Sequence, residues 1–245
     1  MPKIFLDIGH GGRDPGAVKN GIQEKDIVLD MGLRIGRKLA TEFDCQVFYS
    51  RVADIFLDLR PRALMANQLG ADLFVSLHCN SFTTGVPNGY EDFIRINHDI
   101  RTGEIRNAIH TAVSAVWTKY NRANRGRKFQ NFAVLRHARM PAVLVENGFL
   151  ANVRDAELLR DMAFMIELIN AHVDGIVRAM KLAPTQQQPP APTPAHREYV
   201  VQAGDTLWSI AASQLGNGTR HVEISTLNKL TSNVVTPGQK LMLPN

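Results

Sequence analysis

The sequence has few of the residues that mark several classes of protein. Only two cysteines occur among its 245 residues, Cys45 and Cys79, so a disulfide framework is excluded. No apolar run approaches the ~20 residues that cross a bilayer, so we expect no membrane insertion. Aromatic residues make up only 7% and no tight Lys/Arg run occurs. The net charge of +5 therefore favours an anionic polymer such as a cell wall over nucleic acid as the partner.

The amino terminus, MPKIFLDIGH, also lacks the charged, apolar and small-residue zones of a signal peptide. It contains one lysine and passes directly into a strand-like run. Two origins are compatible with this pattern. We expect that the protein either leaves the cell by a route that needs no signal peptide, or is a secreted protein that has been trimmed.

Proline is concentrated in one segment. Five of the twelve prolines lie in residues 183–196, APTQQQPPAPTPAH, together with three glutamines. This composition favours extended chain with a reach of roughly 40 Å. We therefore predict a first domain over residues 1–182, a Pro/Gln-rich linker over 183–197 and a small second domain over 198–245.

Before the linker, apolar strand-like runs alternate with helix-like segments. Apolar spacing predicts a long helix over residues 24–43, and Gly70 is the predicted stop signal of a second helix. The predicted strands are KIFLDI, CQVFYS, ADLFVSLHC, GYEDFIRI and AVLVENGFL. A third helix follows the fourth strand, and two more precede Leu182. Continuously apolar strands that alternate with helices indicate an α/β fold, a mainly parallel sheet with helices on both faces.

Four ionisable side chains are expected at one edge of this sheet. Ligands of open α/β sheets bind beyond the carboxyl ends of the strands. His10 follows the first strand, His78 ends the ADLFVSL run and Glu146 ends the AVLV run. Glu24 opens the helix after the first strand and faces the same rim. Any single one of them could be a turn, core or solvated residue, but this alternative is weak for all four together.

Two imidazoles and one carboxylate are typical of a catalytic zinc site, in which the fourth position is left for water. We predict that His10, Glu24 and His78 bind one Zn²⁺ ion. Glu146 is then the general acid/base that takes a proton from the water and returns it to the leaving nitrogen. The glycines around His10 keep its turn tight and uncluttered.

The segments LDIGHGGRDPGA, QEKDIVLDM, ADLFVSLHCNS and MPAVLVENGFLAN occur in this order between residue 3 and about residue 180. Together they resemble the zinc-dependent N-acetylmuramoyl-L-alanine amidases of the type 3 family. The resemblance implies the zinc amidase fold, the same three zinc ligands and a catalytic Glu146. Departures are small, such as Ile8 where the family usually has proline. The interval between His78 and Glu146 has no room for the autoinhibitory insertion of some relatives, which predicts an open site.

Other candidates have simpler interpretations. Cys79 is predicted to be a buried packing residue rather than a further zinc ligand, because strand neighbours point to opposite faces. His137 is a reserve candidate near the rim. The basic stretch RANRGRK, residues 122–128, is predicted to be a solvated loop rather than a contact with acidic wall polymer. Most of the other histidines are predicted to lie at the surface.

After the linker, the pattern predicts a strand, a turn, two helices and a final strand, a small βααβ domain. Its blocks YVVQAGDTLWSIA, LNKL and TPGQKLMLP resemble a LysM module. The resemblance implies binding of N-acetylglucosamine-containing glycans through Gly204, Asp205, Thr206, Leu207 and the region after Asn228. Asp205 and Thr206 are explained equally well as helix caps. Trp208 is predicted to lie in the core rather than to form a sugar platform.

These features predict a peptidoglycan hydrolase that is anchored to the wall by its LysM module. It would cleave the amide bond between N-acetylmuramic acid and the L-alanine of the stem peptide, as a phage endolysin or an autolysin. The absence of a visible signal peptide then predicts cytoplasmic synthesis with holin- or lysis-type release, or a secreted protein that has been trimmed. One alternative is a zinc peptidase that cuts within the stem peptide. The other is a non-catalytic wall-binding protein, which the intact set of four rim residues disfavours.

Overall fold

The computed structural model describes residues 1–82, 87–185, 197–230, 232 and 234–244. They belong to two compact units, Met1–Thr185 and Gln186–Asn245. Most of the predicted linker, residues 186–196, lies outside the described residues. Among the described helices, none is both long and apolar enough to cross a membrane.

The first unit contains alternating strands and helices. Its strands are β1 Lys3–Ile8, β2 Val18–Lys19, β3 Ile22–Gln23, β4 Gln46–Tyr49, β5 Leu73–Asn80, β6 Tyr90–Ile94, β7 Asn124–Phe129 and β8 Ala142–Phe149. Its helices are α1 Glu24–Glu42, α2 Leu59–Leu69, α3 Ile100–Lys119, α4 Ala133–His137, α5 Val153–Arg160 and α6 Met162–Met180. The predicted stop at Gly70 is confirmed, because this residue ends α2 in the left-handed conformation.

Six strands form one sheet in the order β4-β1-β5-β8-β6-β7. Strands β4, β1, β5 and β8 run parallel to one another. Strand β6 is antiparallel to β8, and β7 is parallel to β6. The mainly parallel α/β fold predicted from the sequence is therefore confirmed. The carboxyl ends of β1, β5 and β8 meet at one rim because these three neighbours share a direction.

Both faces of the sheet are covered, which explains why the strands are apolar throughout. Alternate residues of β1, such as Ile4 and Leu6, pack with α1, α3 and α6 in the larger core. The intervening Phe5 stacks on Phe74 of β5 at 5.7 Å and lies in the second core, with α2 and α4. Burial of each such side chain contributes about 1.5–3 kcal/mol, so the strands that form the rim are firmly anchored.

The structure corrects one expectation in this unit. The basic stretch over residues 122–128 is not a solvated loop, because most of it forms the edge strand β7. There Arg125 and Lys128 pair with the buried Glu91 of β6, at 2.7 and 2.5 Å. His110 and His172 are exceptions to the surface position expected for most of the histidines, because they lie on the core-facing sides of α3 and α6.

The end of the first unit is bound to the carboxyl end of α1. The amide of Asp44 donates to the carbonyl of Ala183, and the amide of Thr185 donates to that of Glu42, both at 2.9 Å. The first residues of the predicted linker are thus attached to this unit.

The second unit consists of β9 Arg197–Val200, α7 Leu207–Leu215, a 3-10 turn Gly218–Arg220, α8 His221–Leu227 and β10 Lys240–Leu243. Strands β9 and β10 pair antiparallel. A small core of apolar side chains holds the two helices against this pair of strands, including Leu207, Ile210, Ile224 and Leu241. The predicted βααβ arrangement is confirmed.

Candidate active site

The structure brings His10, Glu24 and His78 together at the rim, and one ligand atom from each lies within 4.8 Å of the others. Oxygen Oε1 of Glu24 is 3.0 Å from Nε2 of His10 and 2.9 Å from Nδ1 of His78. The two histidine nitrogens are 3.2 Å apart. Among the described residues, this is the group of histidine, cysteine and acidic side chains with the geometry to hold a metal ion.

The turn after β1 presents His10 to this cluster. His10 has a φ of 56°, a left-handed conformation that side chains other than glycine adopt rarely. Gly9 lies against the ring of His78, where a Cβ atom would stand 2.5 Å from Cε1. At Gly16, a Cβ atom would stand 2.5 Å from Oε2 of Glu24 and 2.7 Å from Cδ2 of His10. Any larger residue at Gly9 or Gly16 would therefore displace these ligands, so the site requires glycine at both positions.

Helix α1 begins at Glu24, and the partial positive charge of a helix amino terminus favours a carboxylate there. Its Oε2 accepts from the amide of Ala17 at 2.9 Å, and Oε1 accepts from the amide of Cys79 at 3.0 Å. Burial alone would raise the pKa of Glu24, but the hydrogen bonds to His10 and His78 outweigh burial and hold the pKa far below its ordinary value. The carboxylate is therefore ionised and fixed in position.

Asp14 orients the imidazole of His10. Its Oδ2 lies 2.9 Å from Nδ1 of His10, which leaves Nε2 directed at the cluster. A carboxylate on the second nitrogen of a metal-binding histidine fixes the tautomer and raises the basicity of the ligand. Burial opposes the charged imidazolium, yet the bonds to Glu24 and Asp14 leave the pKa of His10 raised. Asp14 was not identified from the sequence.

The donor set fits a metal ion. A tetrahedral zinc ion with bonds of about 2.1 Å holds its ligand atoms roughly 3.4 Å apart. The three separations in the cluster, between 2.9 and 3.2 Å, are within about 0.5 Å of this value. Two imidazole nitrogens and one carboxylate oxygen also match the ligand types of catalytic zinc sites, which keep a fourth position open.

Glu146 lies on β8 directly beside His78 of β5, and its other neighbour is Glu91 of β6. Its Oε2 atom is buried and has no hydrogen-bond partner among the described residues. Burial raises the pKa of Glu146 well above its ordinary value, and the charges of Glu24 and Glu91 raise it further. A carboxyl group whose protonated form is favoured in this way is suited to donate a proton as a general acid.

A cavity of about 320 Å³ joins these groups. His10, Glu24, His78 and Glu146 line one part of it. Apolar side chains from α4 and its neighbours line another part, among them Phe132, Val134 and Leu144. The site is thus a cleft with convergent polar groups and an apolar wall, the usual form of a small-molecule or polymer-chain site.

The structure also separates the minor candidates from the cluster. Cys79 is buried and contributes its backbone amide, not its thiol, to Glu24. His137 ends α4 and lies outside the cluster and the cavity lining. Asn147 supports the strand that carries His78. Its Nδ2 donates to the carbonyl of His78 at 3.3 Å, and its Oδ1 accepts from Nε2 of the buried His172 at 2.8 Å.

In the second unit, most of the predicted glycan-binding side chains serve the fold. Asp205 accepts from the hydroxyl of Tyr199 and the amide of Gln202, both at 2.8 Å. Thr206 caps α7. Asn228 contacts the backbone of Met242 on β10. The side chain of Leu207 is buried in the core, whereas the backbone at Gly204 is exposed.

The prediction that Trp208 lies in the core is wrong, because 59% of it is exposed. Its ring rests on the backbone of Gly218, where a Cβ atom would come within 2.2 Å of the indole. The apolar stripe of α7 is formed instead by Leu207, Ile210 and Ala211. Position 208 falls outside this stripe.

The fold and the rim define an α/β protein with an open, histidine- and carboxylate-lined site of the hydrolase type. Residues 4–178 match the N-acetylmuramoyl-L-alanine amidase family, Amidase_3, and residues 199–244 match the LysM domain. The chain belongs to the N-acetylmuramoyl-L-alanine amidase family. It is a cell-wall hydrolase with a LysM domain, and the resemblance recognised in the sequence is confirmed.

Two relatives illustrate the match. The chain is 40% identical over 186 residues to the sporulation-specific N-acetylmuramoyl-L-alanine amidase of Bacillus subtilis (strain 168), covering 76% of this chain and 71% of that protein. It is 38% identical over 181 residues to an endolysin of Bacillus phage SPP1, covering 73% and 66% respectively. Relatives therefore include both a bacterial and a phage protein.

Solved structures share the fold of the first unit. The catalytic domain of CwlV, an N-acetylmuramoyl-L-alanine amidase from Bacillus (Paenibacillus) polymyxa var. colistinus, superposes with a TM-score of 0.69 at 31% identity, over 75% of this chain and 100% of that chain. An N-acetylmuramoyl-L-alanine amidase from Clostridium difficile 630 gives 0.69 at 30% identity, over 74% and 97%.

Proposed function

We propose that this chain is a zinc-dependent amidase that hydrolyses the bond between the lactyl group of N-acetylmuramic acid and the first L-alanine of the stem peptide. The observation that carries the proposal is the convergence of Nε2 of His10, Oε1 of Glu24 and Nδ1 of His78 within 4.8 Å. Membership of the amidase family supports the identity of the scissile bond.

His10, Glu24 and His78 would hold the metal, one ion for each catalytic domain. Bound zinc would polarise the amide carbonyl and lower the pKa of water toward ~7. Glu24 would contribute a negative charge, since its pKa is held far below the ordinary value for a glutamate. Asp14 keeps Nδ1 of His10 protonated, so Nε2 is available as a ligand.

Glu146 moves the proton. Its carboxylate accepts a proton from the attacking water as the new carbon–oxygen bond forms. The same carboxyl group then donates that proton to the nitrogen as the carbon–nitrogen bond breaks. The products are a muramic acid lactyl carboxylate and a stem peptide with a free L-alanine amine. Burial of Glu146 favours its protonated form, which suits the second of these two steps.

The domain organisation remains part of the proposal. We assign catalysis to residues 1–182, a linker to 183–197 and wall binding to 198–245. The LysM domain would bind N-acetylglucosamine-containing glycan through the exposed backbone at Gly204 and through the region after Asn228. The side chains of Asp205 and Thr206 are already engaged in hydrogen bonds within the domain. Such an anchor raises the local concentration of the catalytic domain on an insoluble substrate.

Product analysis on purified peptidoglycan tests the proposal. We expect new amino-terminal L-alanine, no new reducing ends and about one zinc ion per chain. A chelator should abolish the reaction and added Zn²⁺ should restore it. A zinc peptidase would instead release fragments that begin at residues beyond L-alanine. A chain that binds the wall and releases no amine at saturating Zn²⁺ would contradict the assignment as an amidase.

A further inference from the structure

We infer that Arg51 is a positioning residue that holds two of the proposed zinc ligands, His10 and Glu24, at the separation the metal requires. The inference rests on the proposed zinc function. Arg51 lies outside the cavity lining and joins the turn that carries His10 to the helix that begins with Glu24.

The turn that carries His10 needs an external support. A left-handed conformation costs a residue other than glycine about 1–2 kcal/mol, and His10 adopts one with a φ of 56°. The surrounding glycines lower the steric cost of the turn but cannot select one conformation. Selection must come from contacts made to the turn by the rest of the fold.

Two buried arginines make those contacts. The carbonyl oxygens of three successive residues, Ile8, Gly9 and His10, all accept from guanidinium groups. Arg51 donates from Nε to Ile8 at 3.2 Å and from Nη2 to Gly9 at 2.9 Å. Arg62 donates from Nη2 to His10 at 2.8 Å and from Nη1 to Ile8 at 2.5 Å.

Arg51 also reaches the helix that carries the second ligand. Its Nη2 donates to the carbonyl of Lys25 at 2.8 Å, and Lys25 directly follows Glu24 in the first turn of α1. One planar group therefore contacts the segment of His10 and the segment of Glu24 at once. A substitution of Arg51 would therefore alter the distance between His10 and Glu24 while leaving both ligand side chains in place.

The chemistry of Arg51 is unusual for a residue that only stabilises the fold. It is 2% exposed, and among the described residues no carboxylate lies within ion-pair distance of it. A buried cation without an ion pair is costly. Its contacts are backbone carbonyls, which a rigid fork of five donors can satisfy together and a lysine cannot.

Arg51 allows a cleaner test than Arg62. Arg62 pairs with Asp7 at 3.0 Å and lines the cavity, so it could also touch substrate. Arg51 does not line the cavity. A substitution of Arg51 therefore probes support of the ligands without removing a group that faces the substrate.

The test is the zinc affinity of Arg51→Lys, measured by chelator competition on the metal-free full chain. Loss of a residue that supports a ligand typically weakens metal binding by about 10- to 100-fold, and we expect a weakening in this range. Arg122→Lys is the matched control. Arg122 also joins distant segments, through Asp155 at 2.6 Å and Asn152 at 2.9 Å, but contacts neither ligand segment. It should lower the unfolding temperature and leave zinc affinity within about twofold of wild type.

An unchanged zinc affinity in Arg51→Lys, with an unfolding temperature lowered as in the control, would overturn the positioning role. Arg51→Gln provides the same comparison if the lysine variant does not fold, because it removes the buried charge and keeps two donors. Failure of the proposed function is a different result: wild type itself would then bind no zinc, or would bind zinc and release no L-alanine amine.

Discussion

The two units of the chain use their polar residues in opposite ways. At the rim of the first unit, His10, His78 and Glu146 are held by the backbone and by buried neighbours, and their reactive atoms face a cavity. In the second unit, Asp205 and Thr206 are engaged in hydrogen bonds that define the turn before α7. Bond cleavage requires free side-chain atoms, whereas a glycan can be bound by exposed backbone. We therefore expect that substitutions at the rim of the first unit remove activity, whereas substitutions of Asp205 or Thr206 remove stability.

The sharpest test of the first half of this comparison is Glu146→Gln. The amide cannot accept the proton of water, so we expect the release of L-alanine amine to fall by about 10²- to 10⁴-fold. Zinc content should not change, because Glu146 is not a proposed ligand. The measurement is the initial rate on purified peptidoglycan together with metal analysis. The exposed Glu157→Gln is the control and should keep full activity; a variant of Glu146 that stays active would remove the proton-transfer role.

The next largest effect is expected for Glu24→Gln. A structural zinc site with four ligands binds with roughly 10 kcal/mol or more, so the loss of one charged ligand removes about 3 kcal/mol. Zinc affinity should fall about 100-fold, as measured by chelator competition. Asp26→Asn changes another acid in the first turn of α1 and should leave the affinity unchanged. Equal affinities in wild type and Glu24→Gln would exclude Glu24 as a ligand.

Acid should destabilise the first unit through His172. Burial lowers the pKa of His172 to about 3, whereas the unfolded chain takes up the proton near pH 6.5. Stability is therefore lost as the pH falls below about 6.5, by about 2 kcal/mol between pH 6.5 and 4.5. His172→Gln keeps a donor for Asn147 and cannot titrate, so this part of the pH dependence should disappear. Denaturant unfolding across this range, followed in the first unit, measures it; parallel curves for both proteins would contradict the assignment.

The smallest effect tests the second half of the comparison. The hydroxyl of Thr206 accepts from the amide of Ser209, and the hydroxyl of Ser209 accepts from the amide of Thr206. Thr206→Ala should destabilise α7 by about 1 kcal/mol. Hydrogen exchange of the α7 amides in the full chain measures this loss, and Ser225→Ala, a hydroxyl outside the cap, is the control. Glycan affinity of the folded protein should be unchanged; a loss of affinity without a loss of protection would make Thr206 a ligand contact instead.

The sequence was informative about the site because the chemistry lies at chain positions with a simple geometric meaning. His10, His78 and Glu146 end or follow apolar runs, and the ends of parallel strands meet. The supporting role of Arg51 was not visible, since its partners lie 43, 42 and 26 positions away and nothing in its own neighbourhood marks it. Asp14 lies only four residues after His10 in the same glycine-rich segment, so a carboxylate beside His10 was predictable from the sequence.

Helical periodicity could have identified the two buried histidines in advance. His110 lies beside Ile109 and three residues before Val113, on the stripe of α3 that faces the core. His172 occupies the equivalent side of α6, next to Val173. The antiparallel direction of β6 could not be predicted in this way, because strand direction depends on pairings that no single run of residues reveals.

The edge strand β7 has a consequence for the behaviour of the protein at high concentration. An uncovered sheet edge offers free amides and carbonyls to the edge of another molecule, which is a common start of aggregation. Here the pairing of β7 with β6 is interrupted by a register shift, and Gly126 has a left-handed φ of 84°. Arg127 places a positive charge on the same edge, and Arg125 and Lys128 share the single carboxylate of Glu91, so the edge keeps a net positive charge. The register shift and this charge both disfavour edge-to-edge stacking of β7.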